Sequence, residues 1–243
     1  MDLNLLTPSS QLPDDSIHIY LIDLDKSILS LPVNRILSNT ELQRAAKFKF
    51  DSDRNRYLRR RCALNILLAG YLNISPLDLN FKLSPSGKPY IPGNPIYFNL
   101  SESCGQCVMV FAKQSQLGID IEQTRPMDDC LVIAERYFSK IEVSALERLE
   151  GEERLRVFFH IWTQKEAIVK AIGVGLSFPL DVFDVDVSLR KNESLIEIRD
   201  HPHLTGVWFI KTFALPGDYQ MALCYQQNQP NIKIFNISGD GFT

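Results

Sequence analysis

The order of the predicted secondary-structure elements constrains the fold of this chain more than any other feature. Apolar alternation predicts a strand at 16–24, and helical periodicity predicts helices within 40–72, with Thr40 as the N-cap. Alternation then returns and predicts strands at 96–100 and 107–112. The chain therefore builds strand, helices and strands in succession.

The same order then occurs a second time. A strand at 117–122 precedes helical sequence within 128–173, which stops at Gly173. Further strands are predicted at 182–187, 194–198, 206–213 and 219–225. This recurrence, with the join near 113–117, predicts an α+β protein made of two similar α/β halves, 1–115 and 116–243.

Composition narrows the functional class. The chain has 243 residues, a formal net charge of −3 and 23% charged residues, as in ordinary soluble globular proteins, so no overall basic field attracts nucleic acid or membrane. The first residues resemble no signal peptide, no apolar run is long enough to span a bilayer, and the five cysteines are an odd number. We therefore expect a cytoplasmic protein. Cys104 and Cys107 form a CxxC without the second pair of a zinc site.

The stretch "LGIDIEQ" places two acids on one side of a strand. Residues two apart project from the same face, so Asp120 and Glu122 face away from Ile119 and Ile121. Two carboxylates without nearby Cys or His suit a hard cation such as Mg²⁺. The alternative is an amphipathic strand with its polar face in solvent.

The stretch "FHIWTQKEAIVKAIGVG" carries a second candidate group. Trp162, Glu166 and Lys170 are spaced by four residues and form one stripe along a helix. A surface Glu–Lys pair would contribute only about 0.2–0.5 kcal/mol. The large aromatic ring on the same stripe indicates partial burial, which favours metal or proton chemistry at Glu166.

A local basic segment is the third candidate feature. From Arg44 to Arg61 there are eight Lys or Arg residues and two Asp, and Lys88 and Ser101 follow in a loop and after a strand. On an acidic protein this segment predicts a polyanion site, although part of it can be a solvated helix face. Nucleic acid is an alternative ligand, but no recognition motif accompanies the charges. The three features together predict a Mg²⁺-dependent enzyme acting on a phosphorylated small molecule.

The combination of motifs resembles a known family. "GIDIE", followed by "WTQKEAIVKAIGVGLSFPL", resembles the 4′-phosphopantetheinyl transferases of the surfactin-synthetase-activating type, and the likeness extends to "GKPYIP", "FNLSES" and "RYFSKIEVSALERL". The resemblance implies transfer of the phosphopantetheine arm of coenzyme A to a serine of an acyl or peptidyl carrier protein, with release of adenosine 3′,5′-bisphosphate. It also implies a monomer with pseudo-twofold halves and the active site in the cleft between them.

The resemblance also implies roles for individual residues. Asp120, Glu122 and Glu166 would hold Mg²⁺, Glu166 would also orient or deprotonate the carrier serine, and Lys170 would stabilise phosphate charge. The implied coenzyme A contacts are Arg44, Gly87, Lys88, Pro89, Ser101, Glu102, Asp120 and Lys170, with Tyr57 near the adenine.

Glu102 departs from the family pattern. The family has His at this position, where it contacts the 3′-phosphate, and a carboxylate there would repel the phosphate. Either Glu102 turns away and other cations compensate, or coenzyme A binds more weakly. Two other hypotheses remain open: a catalytically impaired relative that binds carrier proteins or nucleotide, and a nucleic-acid-binding module using Arg44–Arg61.

Overall fold

The protein is described here by a computed structural model of residues 11–26, 32–93, 96–114, 116–175, 178–189, 193–199, 207–238 and 241–242. The α-helices are α1 (Asn39–Ala45), α2 (Asp51–Leu72), α3 (Cys130–Tyr137), α4 (Lys140–Glu147) and α5 (Gly151–Ile172). The strands are β1 (Ser16–Asp23), β2 (Lys82–Leu83), β3 (Pro89–Tyr90), β4 (Tyr97–Ser103), β5 (Gln106–Ala112), β6 (Leu117–Gln123), β7 (Glu193–Ile196), β8 (Trp208–Leu215), β9 (Tyr219–Tyr225), β10 (Asn231–Ser238) and β11 (Gly241–Phe242). Short 3-10 helices occupy Val33–Arg35 and Pro76–Asp78.

The content of helix and sheet confirms the predicted α+β class. The first sheet has the strand order β11-β10-β1-β5-β4, and the second has the order β6-β9-β8-β7. Strand β10 was not predicted, and it pairs in parallel with β1, with Ser16 opposite Asn231. The predicted assignment of residues 116–243 to the second half does not account for this strand, which belongs to the first sheet. Residues 1–10 and residue 206, where a strand was predicted to start, lie outside the described ranges.

The two sheets pack face to face. Apolar residues of β1, β5, β6 and β9 form one buried cluster between them, including Ile19, Val110, Ile119 and Leu223. The opposite face of the first sheet packs against α2, and the opposite face of the second sheet packs against α5. The layers therefore follow the order helix, sheet, sheet, helix. No helix of the described ranges is long and apolar enough to cross a membrane.

One local prediction about the helices needs correction. The predicted N-cap Thr40 lies inside α1, and the N-cap is Ser38, which forms a capping box with Glu41. The helices predicted within 40–72 are confirmed as α1 and α2. The predicted stop of α5 is confirmed, because Gly173 adopts φ +74° as its C-cap, in the left-handed region that glycine tolerates.

The strand predicted at 182–187 is absent, and the backbone there is irregular. A buried ion pair explains this difference. Lys165 Nζ lies 2.8 Å from Glu142 Oε2, and both side chains are fully buried. Lys165 also donates to the Phe183 carbonyl at 3.0 Å, and Val185 N donates to Glu142 Oε1 at 2.8 Å. These backbone groups therefore bond to the ion pair instead of to a neighbouring strand.

Candidate active site

The buried carboxylate of Asp120 on β6 is the centre of the candidate site. Asp120 is 4% exposed, and its Oδ1 accepts hydrogen bonds from Lys170 Nζ of α5 at 2.6 Å and from Ser101 Oγ of β4 at 2.7 Å. Lys170 Nζ also donates to Ser101 Oγ at 3.0 Å. The edge strands of the two sheets and the last turn of α5 therefore meet at one point.

Gly118 allows this close approach. A Cβ atom at this position would lie 2.2 Å from the Ala167 carbonyl oxygen and 2.3 Å from the Ala171 nitrogen, both in the backbone of α5. Only glycine lets β6 lie so near the helix axis. Asp120, two residues further along the same strand face, is thereby placed beside Lys170.

The electrostatics of Asp120 indicate a site for a ligand. Burial raises the pKa of Asp120, and the charge of Lys170 together with hydrogen bonds from Lys170 and Ser101 offsets only part of that effect. Its other oxygen, Oδ2, is buried and has no hydrogen-bond partner among the described residues. A buried acceptor without a partner costs about 1–3 kcal/mol, so this atom is a natural ligand for a cation.

Two further carboxylates border Asp120. Glu122 Oε2 accepts hydrogen bonds from Ser103 Oγ at 2.7 Å and from Arg125 Nη1 at 3.2 Å. Glu166 is half-buried on α5, one turn before Lys170. Burial raises the pKa of Glu166 first, and the negative charges of Asp120 and Glu122 raise it further, against the lowering effect of Lys170. The three acids therefore influence one another electrostatically.

A cavity of about 480 Å³ opens beside Glu166. Trp162 lines it together with Val169, and Tyr137 of α3 and Leu180 form the facing wall. Trp162 is half-buried, as its position on the Glu166 stripe predicted. Glu166 therefore borders a cavity large enough for a substrate group.

The predicted magnesium ligands fit the ion chemically but are not assembled around a common centre. Within the described ranges, no group of three His, Cys, Asp or Glu residues is close enough to hold a metal ion. Lys170 occupies Oδ1 of Asp120, and Arg125 occupies Oε2 of Glu122. The set nevertheless offers only hard oxygen donors, and the free Oδ2 of Asp120 is available, which is the chemistry Mg²⁺ requires.

A basic cavity of about 530 Å³ lies beside α2. Three of the predicted coenzyme A contacts line it, namely Arg44, Gly87 and Pro89. The guanidinium carbons of Arg44 and Arg60 lie 5.7 and 5.8 Å from the centre of the Tyr57 ring, within cation–π range. The cavity thus combines positive charge with an aromatic face, which suits a nucleotide.

Known proteins are similar to this chain in sequence. A sequence profile described as the 4′-phosphopantetheinyl transferase superfamily matches residues 116–224. The 4′-phosphopantetheinyl transferase Sfp of Bacillus subtilis is 32% identical over 210 residues, covering 85% of this chain and 91% of the relative. The chain belongs to this superfamily. The 4′-phosphopantetheinyl transferase HetI of a Nostoc species is 32% identical over 76% of this chain and 79% of the relative. The 4′-phosphopantetheinyl transferase psf-1 of Bacillus pumilus is 32% identical over 74% of this chain and 75% of the relative.

In this phosphopantetheinyl transferase, Lys88 lies away from the basic cavity and binds backbone. Its Nζ donates to the carbonyl oxygens of Leu117 at 2.9 Å, Lys170 at 2.6 Å and Ala171 at 3.5 Å. Burial lowers the pKa of Lys88 to about 8. The ammonium group thus has one carbonyl acceptor for each of its three N–H donors. Its positive charge at the carboxyl end of α5 also interacts favourably with the helix dipole. The predicted phosphate contact of this side chain would require Lys88 to leave these carbonyls.

Glu102 of the transferase pairs with a cation of the predicted basic segment that was not among the predicted coenzyme A contacts. Its Oε1 lies 2.6 Å from Arg60 Nη1. Arg60 and Arg61 both line the cavity, and both belong to the basic segment predicted from the sequence, but neither was predicted individually as a coenzyme A contact. The signal was their spacing from Tyr57, because residues three and four apart share a helix face.

Other arginines of the basic segment are also paired. Arg56 lies 2.7 Å from Asp25, and Arg54 lies 3.1 Å from Asp51. These pairs reduce the positive field that a nucleic-acid surface would need. The CxxC cysteines differ in environment, since Cys104 is exposed and Cys107 is buried, and both are free.

Proposed function

We propose that this chain transfers the 4′-phosphopantetheine arm of coenzyme A to a serine of an apo acyl or peptidyl carrier protein, as a holo-[acyl-carrier-protein] synthase. The observation that carries the proposal is the buried Asp120 carboxylate, with Lys170 on one oxygen and the other oxygen without a partner among the described residues. Membership of the superfamily supports the reaction class. The products would be the holo carrier protein and adenosine 3′,5′-bisphosphate.

Catalysis in this proposal relies on positioning and charge neutralisation. Asp120, Glu122 and Glu166 would hold Mg²⁺, which when bound neutralises charge on the pyrophosphate oxygens. Lys170 and Ser101 would orient the pyrophosphate, and Lys170 would stabilise the charge that grows on the leaving phosphate. No nucleophile of the protein itself is needed, because the carrier serine attacks the phosphorus directly.

Glu166 would take the proton from the attacking serine, directly or through water. Burial and the neighbouring Asp120 and Glu122 charges raise the pKa of Glu166, which makes its carboxylate a stronger base. The adjacent 480 Å³ cavity supports this role, since it would give the serine of the carrier protein access to Glu166.

Coenzyme A would occupy the basic cavity with its pyrophosphate directed toward Asp120. The residues proposed to contact it are those predicted from the sequence: Arg44, Gly87, Lys88, Pro89, Ser101, Glu102, Asp120 and Lys170. The stacking of the Arg44 guanidinium on the Tyr57 ring supports nucleotide binding in the basic cavity. The hydrogen bond from Ser101 to Asp120 supports placing the pyrophosphate near the acidic residues.

We also propose that the chain consists of two similar halves, 1–115 and 116–243 apart from β10, with the active site in the cleft between them. The sheets support this proposal, because three strands of each follow the same pattern. In β1-β5-β4 and in β6-β9-β8, the strand that comes first in the chain pairs with the one that comes last, and that strand pairs with the one between them in sequence. The chain would act as a cytoplasmic monomer. Its partners would be coenzyme A and a carrier protein, with carrier choice determined near residues 125–150.

A direct assay tests the function. The purified chain is incubated with coenzyme A, Mg²⁺ and an apo carrier protein, and the carrier is analysed by intact mass. We expect one phosphopantetheine group on the carrier serine, and none when a chelator removes Mg²⁺. An unmodified carrier with retained binding would indicate the impaired relative. A salt-sensitive shift of random DNA without carrier modification would indicate the nucleic-acid-binding module.

A further inference from the structure

Three polar side chains of β4 face β6 where the two sheets meet. Each of these strands is the terminal strand of its own sheet, and the two do not pair with each other. Asn99, Ser101 and Ser103 alternate along β4 and therefore lie on one face of it. Asn99 Oδ1 accepts a hydrogen bond from Ile119 N at 2.8 Å, so side chains of β4, rather than strand pairing, hold the backbone of β6 here.

The two serines of this row each bind one oxygen of an acid on β6. Ser101 Oγ donates to Asp120 Oδ1 at 2.7 Å, and Ser103 Oγ donates to Glu122 Oε2 at 2.7 Å. Within the described ranges, the hydrogen bonds of the Glu122 carboxylate all go to Oε2, and Oδ2 of Asp120 has no partner. Each acid therefore has one oxygen fixed by a serine and one oxygen left for a cation.

The surroundings of Ser103 make it the group that fixes Glu122. Gln123 N donates to Ser103 Oγ at 3.2 Å, which leaves the single hydroxyl hydrogen for Glu122, because Cys104 Sγ is a weak acceptor and lies 4.0 Å away. Ser103 is only 8% exposed, so little water competes for this bond. The other partner of Oε2, Arg125, is 45% exposed and lies 3.2 Å away, and exposed ion pairs contribute little.

We propose that Ser103 is a positioning residue for the metal site, whose hydroxyl holds Oε2 of Glu122 and leaves Oε1 to bind a divalent cation. The inference rests on the proposed Mg²⁺ site of Asp120, Glu122 and Glu166. A carboxylate that is already held by one oxygen loses less conformational freedom when a cation binds the other oxygen. Removal of a group that orients a metal ligand typically lowers metal affinity or activity about 10–100-fold.

Binding of Mn²⁺ tests this proposal without a carrier protein. Mn²⁺ prefers the same oxygen ligands as Mg²⁺, and its free concentration can be followed by paramagnetic resonance. The protein is titrated with Mn²⁺ at a fixed concentration of coenzyme A, and a titration of coenzyme A alone is subtracted. We expect Ser103→Ala to weaken Mn²⁺ binding about tenfold with retained far-UV circular dichroism. Ser103→Thr keeps the hydroxyl and should bind Mn²⁺ as the wild type does.

A matched control and a double variant define the cause. Ser16 is fully buried at the opposite end of the first sheet, and its Oγ also donates to a carboxylate, Asp15, at 3.1 Å. Ser16→Ala should therefore leave Mn²⁺ affinity unchanged. Glu122→Ala should weaken binding, and adding Ser103→Ala to it should cause no further loss, because Ser103 acts through the Glu122 carboxylate.

Four results overturn the proposal. These are unchanged Mn²⁺ affinity in Ser103→Ala, additive losses in the double variant, Ser103→Thr binding as weakly as Ser103→Ala, and no Mn²⁺ binding by the wild type. The Thr variant and the double variant decide the matter even where Ser103→Ala alone is unstable, since each compares Mn²⁺ affinity in a different background.

The Mg²⁺ dependence of carrier modification separates this inference from the proposed function. In Ser103→Ala the Mg²⁺ concentration for half-maximal rate should rise by the factor seen in Mn²⁺ affinity, while kcat at saturating Mg²⁺ and KM for coenzyme A stay close to the wild-type values. Carrier modification with an unchanged Mg²⁺ requirement refutes the role of Ser103 alone. Weaker Mn²⁺ binding in Ser103→Ala, without carrier modification by the wild type, refutes the transferase function alone.

Discussion

Replacement of Gly118 by alanine tests the contact that places Asp120 beside α5. The added Cβ would lie 2.2 Å from the Ala167 carbonyl oxygen and 2.3 Å from the Ala171 nitrogen. Ordinary C···O contacts are about 3.3–3.6 Å, so strand and helix must separate by roughly 1 Å. Overpacking of this kind costs about 1–3 kcal/mol of the free energy of unfolding.

The separation also disturbs the site. Asp120 Oδ1 and Lys170 Nζ are 2.6 Å apart, and a displacement of about 1 Å would bring the separation to about 3.6 Å, which is beyond hydrogen-bond length. Misplacement on this scale can reduce a reaction rate about 100-fold. We expect Gly118→Ala to lower both the urea midpoint, followed by tryptophan fluorescence, and kcat/KM for carrier modification.

A second glycine provides the control for this substitution. Gly70 is exposed in α2, and Gly70→Ala should raise the free energy of unfolding by about 0.5–1 kcal/mol without changing the rate. Adding Ala171→Gly to Gly118→Ala should not restore stability, because the clash is with backbone atoms. Wild-type stability and rate in Gly118→Ala would refute the close approach of β6 and α5.

Three further predictions concern charged groups. Asp120→Ala should abolish transfer with retained far-UV circular dichroism, because it removes the partner of Lys170 and the proposed metal ligand; wild-type turnover would contradict that assignment. Lys165→Met should lower the free energy of unfolding by about 3–5 kcal/mol, since it leaves the Glu142 charge buried without its cation, and adding Glu142→Gln should recover part of the loss. His18 is buried, and burial lowers its pKa from 6.5 to about 4. Below pH 6.5 the unfolded chain therefore binds a proton at His18 more readily than the folded chain, and the free energy of unfolding should decrease by up to about 3 kcal/mol between pH 6.5 and pH 4. His18→Gln should flatten that part of the urea-midpoint profile, and an equal slope in both proteins would exclude His18 as its source.

Local pattern predicted the parts of the site that depend on one element. The alternation in β6 placed Ile119 and Ile121 in the core between the sheets and Asp120 on the side of α5. The four-residue spacing in α5 placed Trp162 and Glu166 in one cavity. Both inferences follow from the geometry of a single strand or helix.

Features that depend on distant partners could not be predicted in this way. The apolar alternation at 182–187 favours a strand, but the buried Lys165–Glu142 pair binds the backbone there. The sequence groups Lys88 with the basic residues predicted to bind phosphate. In the structure its ammonium group instead donates to carbonyl oxygens at the end of α5. Competition between a phosphate and a backbone acceptor for one cation is decided by tertiary structure.

The parallel pairing of β1 with β10 affects how the molecule can form during synthesis. Residues from Ser16 to Ile22 bond to residues more than 200 positions later, from Asn231 to Ile237. One edge of β1 therefore stays unpaired while the intervening chain emerges from the ribosome, although β5 can already occupy the other edge. Such long-range closure is slow and leaves a strand edge open to association with other chains. Early termination before β10 should consequently yield aggregates rather than a stable amino-terminal fragment.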